Sequence, residues 1–189
     1  LTIEGGDGKY IACTQMVTAL SSQALDAAVM ISPTAELAEK KGFAIRWVNP
    51  DHIIKAQPTI ISVMQINTEW ARKEPEAAYK FTRALLKATR EYCDAFHHGP
   101  NRAEVIKIIS RSTGMEEALV NEIEWSSRDP YGRVPEASLT DIQAFFAQRK
   151  DIEKVFSYDQ LVDTSFIDRA EREMGPYKPA FDDGKPGCR

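Results

Sequence analysis

The most constraining feature of the chain is residues 16–42, MVTALSSQALDAAVMISPTAELAEKKG, where two periodicities follow one another within a few residues. Met16, Val17, Ala19 and Leu20 recur at helical spacing, and Ser21, Ser22 and Gln23 break that pattern ahead of a compact apolar run at 27–31. This predicts helix, turn and buried strand. The run ends at Ser32, Pro33 and Thr34, where a proline suits the first turn of a second helix carrying Ala35, Leu37 and Ala38 until Gly42 stops it. A buried strand feeding straight into a helix is a βα unit, which points to an α/β fold. In open α/β sheets, ligands collect where strands end and helix N-termini direct free N–H groups outward, so Ser32, Pro33 and Thr34 form the first candidate site. Asp26, just ahead of the strand, is a further candidate. Its plainer role is that of a turn residue bonding nearby backbone N–H groups.

Two more strands are expected, at 43–48, ended by Asn49, Pro50 and Asp51, and at 59–66, rich in β-branched residues and introduced by Pro58. Behind Trp70 the pattern turns helical. Pro75 fits a first helical position, and Ala78, Phe81, Leu85, Ala88, Tyr92 and Phe96 repeat as one apolar stripe on a long helix that His97, His98, Gly99 and Pro100 end. Asn101 with Glu104 reads as a capping box, Gly114 closes the helix it opens, and Leu119, Val120 and Ile123 mark a shorter one. Asp129 to Gly132 is a turn, Ser138 with Asp141 a second cap, and Asp163 opens a last helix through Phe166, Ile167, Ala170 and Met174. Residues 176–189, rich in proline and glycine, are expected to form a loose tail.

Composition narrows the function classes. A net charge of -4 with no basic run gives no electrostatic reason to expect nucleic acid or an anionic membrane as partner. No apolar stretch approaches the roughly 18 residues that span a bilayer, and the chain opens on Leu1, Thr2, Ile3 and Glu4 without a signal-peptide pattern. The three cysteines, Cys13, Cys93 and Cys188, have no CxxC spacing and give no disulfide framework, so they read as small buried or incidental thiols. His97 and His98 diverge by about 100° on a helix and cannot chelate one metal as an i, i+4 pair would; His52 stands alone. Gly5, Gly6, Asp7 and Gly8 form a turn without phosphate-loop spacing, and no nucleophile elbow is present. Carboxylates such as Glu74, Glu76 and Glu91 fall on solvated faces. No catalytic set, metal site or cofactor is therefore expected. Trp125 with Tyr131 either lines a cleft or packs, and packing is the simpler account.

The passage ALSSQALDAAVMISPTAELAEKKG, followed in order by the strand at 58–63, the Pro75-Glu76 helix start and the closing Tyr158-Asp159, Val162-Asp163 and Phe166, resembles the nitrate/taurine/sulfonate type of ABC-transporter solute-binding proteins. The resemblance extends to about Gly175 and matches only the latter part of such proteins. It implies a type II periplasmic-binding-protein-like fold, βα units followed by a helix-rich C-terminal portion. Residues 1–57 would then belong to a second lobe, 58–66 to a hinge strand, 67–175 to the helical part of a first lobe and 176–189 to the tail. The implied function is non-enzymatic: binding of a small anionic or organic solute in an interlobe cleft, with Ser32, Pro33, Thr34, Asp26, Thr59 and Trp125 as ligand contacts. The implied partners are the solute and the membrane subunits of an ABC importer, in a periplasmic or otherwise extracytoplasmic location. Strongly apolar helix faces add self-association or an N-terminal partner segment. Related folds also serve a thiamine-pyrimidine-synthase-like enzyme, whose cysteine-rich signature is absent here, and effector-binding domains of transcription regulators.

Overall fold

A computed structural model describes residues 13–48, 53–55, 58–181 and 188, with the side chains of residues 13 and 14 outside the description. The glycine-rich turn at 5–8, the Asn49-Pro50-Asp51 strand end and His52 lie outside the described residues. Nine helices are described: α1 (Cys13–Ser21), α2 (Thr34–Lys40), α3 (Thr68–Lys73), α4 (Pro75–Phe96), α5 (Arg102–Thr113), α6 (Glu117–Glu122), α7 (Glu136–Gln148), α8 (Tyr158–Leu161) and α9 (Ser165–Met174). No strand accompanies them among the described residues; Ala27 alone carries an isolated bridge.

The expected α/β, type II periplasmic-binding-protein-like architecture is thus corrected to a helix-rich one. The runs at 27–31, 43–48 and 59–66 have the composition of strands but form no ladder. A helix satisfies its backbone from within, whereas a strand exists only when a second stretch of chain supplies N–H and C=O partners. Without that pairing the apolar side chains stay in solvent. Ile45 is 88% and Trp47 91% exposed, and Val29, Ile31, Ile61 and Val63 are also open. At 43–47 Ala44 is half-buried while Phe43, Ile45, Arg46 and Trp47 are exposed.

The chain divides into two compact units, Leu1–Asn49 with Ile106–Ser126, and Pro50–Val105 with Ser127–Arg189. In the first, α1 packs on α2, and Met16, Val17, Leu25, Ala38, Ile106, Val120 and Trp125 are buried. Exposed ion pairs tie its surface together. Lys40 meets Glu122 at 3.2 Å, and Arg46 reaches Glu39 at 3.3 Å and Glu124 at 3.4 Å.

The second unit is organised around α4, which begins at Pro75 and ends before His97 as the sequence indicates. Its buried face is rotated from the expected one. Tyr79, Thr82, Leu86, Arg90 and Cys93 face inward, while Phe81 is 47% and Leu85 37% exposed. The partner sets this phase: Tyr79 and Leu86 form a core with Ala170 of α9, covered by Phe166, Ile167 and Met174. Around that core Arg169 lies 3.6 Å from the centroid of the Tyr79 ring and forks onto both Glu76 oxygens, at 2.6 and 3.3 Å. The Tyr79 hydroxyl donates to Glu173. Arg90, 9% exposed, donates through Nε to the Pro130 carbonyl at 3.1 Å, and its Nη2 is buried without a partner.

Local caps follow the sequence in part. Asp163 Oδ1 accepts from the Ser165 N–H at the start of α9 (2.9 Å), and Asn67 caps α3 by accepting from Trp70 N–H (2.9 Å). Asn101 does otherwise. Its amide donates to the Glu91 carbonyl at 2.8 Å, so it reaches back to α4 rather than capping α5. Ser138 lies inside α7, which starts two residues before it at Glu136.

Tyr177 and Ala180, beyond the end of α9, are fastened to α4. The Tyr177 hydroxyl and the Ala180 N–H both donate to Asp94 Oδ1, at 2.8 and 2.9 Å. Burial, and then the Asp94 hydrogen bond, push the Tyr177 phenol well above its ordinary range. Cys93 and Cys188 form a disulfide, both buried, so two of the three cysteines are paired rather than incidental. The Cys188 N–H donates to Ser127 Oγ (3.1 Å) and its sulfur accepts from Arg128 N–H (3.4 Å).

Three outcomes follow from this packing. Cys188→Ser should lower the urea-unfolding free energy by about 4 kcal/mol, because the bond closes a long loop in the unfolded chain; the oxidised wild type should lose as much on reduction. Gly132 has φ +68, and a Cβ there would sit 2.9 Å from Ile167 Cδ1, whereas Gly175 has φ +71 with open space around it. Gly132→Ala should therefore destabilise by about 1 kcal/mol more than Gly175→Ala, the difference isolating the contact from the backbone term. The double variant Ile45→Lys, Trp47→Lys should change the unfolding free energy by less than about 0.5 kcal/mol while reducing binding of a hydrophobic dye, since both side chains are already in solvent.

Candidate functional site

The six residues singled out from the sequence are drawn from both units. Asp26, Ser32, Pro33, Thr34 and Trp125 belong to the first unit and Thr59 to the second. At the start of α2 the hydroxyls are turned onto their own chain. Ser32 Oγ donates to Glu36 Oε1 at 2.6 Å and Thr34 Oγ1 to the Ile31 carbonyl at 2.6 Å. The N–H groups of Thr34 and Ala35 also donate to that carbonyl, at 3.0 and 3.3 Å. Pro33 is the residue before the helix, with no side-chain cap, and the Ser32–Pro33 bond is cis. Asp26 is exposed. Trp125 is 8% exposed and its indole N–H donates to the Val120 carbonyl at 2.7 Å, so it packs the unit from within.

Charge around α2 is mixed and paired. A recess of about 380 Å³ is lined by Glu36, Glu39, Lys40, Arg46, Leu119, Glu122 and Ile123, three carboxylates against two cations. Glu36 takes the Ser32 hydroxyl, sits 3.7 Å from Arg46 and keeps Oε2 buried without a partner. The Ser32 hydroxyl proton is thus already committed to a carboxylate of α2.

Thr59 differs. Its Oγ1 is buried with no hydrogen-bond partner. The N–H of the next residue, Ile60, donates to Ser138 Oγ at 3.0 Å, and Ser138 is 2% exposed in the first turn of α7. Pro135 precedes that helix in extended conformation without a side-chain cap. A hydroxyl left unpaired in the interior costs about 1–3 kcal/mol, and a polar ligand atom would relieve it. No pattern in the sequence distinguishes this hydroxyl from that of Thr34, because the difference lies in what each meets.

A second recess, of about 490 Å³, is lined by Arg133, Asp168, Glu171, Arg172, Gly175 and Pro176. Arg133 spans it, donating to Asp168 Oδ1 at 2.6 Å and to Glu171. Asp168 also accepts from Thr164 Oγ1 at 2.8 Å. The Arg133 hydrogen bond first, then that of Thr164, holds the Asp168 carboxyl below its ordinary 3.8. These charges neutralise one another, which makes the recess a structural ion-pair network. Among the described residues no group of three or more His, Cys, Asp or Glu side chains could hold a metal ion; His97 is buried and His98 exposed.

A family model described as the NMT1-like family matches residues 9–110, just over half of the chain, and takes in α1 to α4 with most of α5. The chain belongs to the NMT1-like family. Membership fits a solute-binding role at the level of the family. No curated protein and no solved structure matches this NMT1-like chain.

The Arg133–Asp168 pair sets a pH dependence. A carboxylate held below its ordinary value adds stability that is present above that value and lost as pH falls through the lowered one. Asp168→Asn should therefore lower stability at neutral pH and leave it little changed at pH well below the lowered value, so that the acid limb flattens because the plateau comes down, as read from urea midpoints along a pH series.

Proposed function

We propose that this NMT1-like protein is the solute-binding component of an ABC importer, taking a small anionic or organic solute to the membrane subunits without transforming it. The family match over residues 9–110 carries the proposal. The buried Cys93–Cys188 disulfide supports a periplasmic or otherwise extracytoplasmic setting, since such bonds persist in oxidising compartments and are rare in the cytosol.

Of the residues proposed as contacts, Thr59 has the strongest support. A hydroxyl that is shielded from water and unpaired gains a full hydrogen bond when a solute oxygen arrives, whereas the Ser32 and Thr34 hydroxyls would first have to release Glu36 and Ile31. Binding of a charged oxygen through one such hydroxyl is worth roughly 1.5–3 kcal/mol.

Calorimetric titration of the oxidised protein with nitrate, taurine, a short alkanesulfonate and a short carboxylate tests both levels. One of these should bind, Thr59→Val should weaken it by about 10- to 100-fold, and Ser32→Ala should leave it within about twofold. If none of the four binds, the anionic-solute assignment fails. If one binds and Thr59→Val has no effect, the solute role stands and the Thr59 contact is wrong.

A further inference from the structure

We draw no further inference here: the strongest candidate, the exposed apolar edge of Phe43, Ile45 and Trp47 that follows helix α2, is unpartnered and nothing in the structure shows what covers it.

Discussion

The contact between α4 and α9 governs the second unit. Leu86, Tyr79 and Ala170 are nearly or fully excluded from water, and they come from positions far apart in sequence. Burying side chains of the size of Leu86 and Tyr79 contributes roughly 1.5–3 kcal/mol each, more than the exposed ion pairs around them, which are typically worth less than about 1 kcal/mol. The Arg169–Glu76 fork and the Tyr79–Glu173 bond therefore fix the rotation of the two helices more than they hold them together. Once α4 is rotated to meet α9, the rest of its inward face is determined. Arg90 must find the Pro130 carbonyl, and Cys93 comes within reach of Cys188.

What the sequence discloses depends on how local each determinant is. The start of α4 at Pro75 and its end at His97 were legible because proline at a first helical position acts within one turn. The side of α4 that is buried was not. Phe81 and Leu85 are as apolar as Leu86, and only the position of Ala170, Phe166 and Ile167 decides between them. Strands are worse still, because composition at 27–31, 43–48 and 59–66 declares a capacity to pair and says nothing of a partner. The Cys93–Cys188 bond, across 95 residues, left no trace in spacing. The candidate site shows the same limit. Ser32 and Thr34 had the right residue types at a strand-to-helix turn, yet Glu36, one helical turn on, captures the hydroxyl they were expected to offer.

Thr59 and Ser32 show that residue type is a poor guide to hydrogen-bonding state. Both are hydroxyl residues beside a proline. One has its proton committed to a carboxylate; the other has a buried oxygen with nothing to meet it. A receptor for a small polar solute needs groups whose hydrogen-bonding capacity is withheld from both the protein and water until the ligand arrives, since only then is the exchange favourable. In this NMT1-like chain the Thr59 hydroxyl oxygen is buried and unpaired, whereas the Ser32 hydroxyl is already committed to Glu36.

The disulfide also orders events in time. Cys93 leaves the ribosome before its partner is made, since every residue from 94 to 188 must follow it. During that interval Cys13, synthesised earlier, is already present as another thiol. The chain can thus reach its final covalent form only after the segment carrying Cys188 has been delivered and laid against Ser127 and Arg128. Loss of Cys188 would leave the α4–α9 core intact while removing the covalent tie that holds residue 188 to α4.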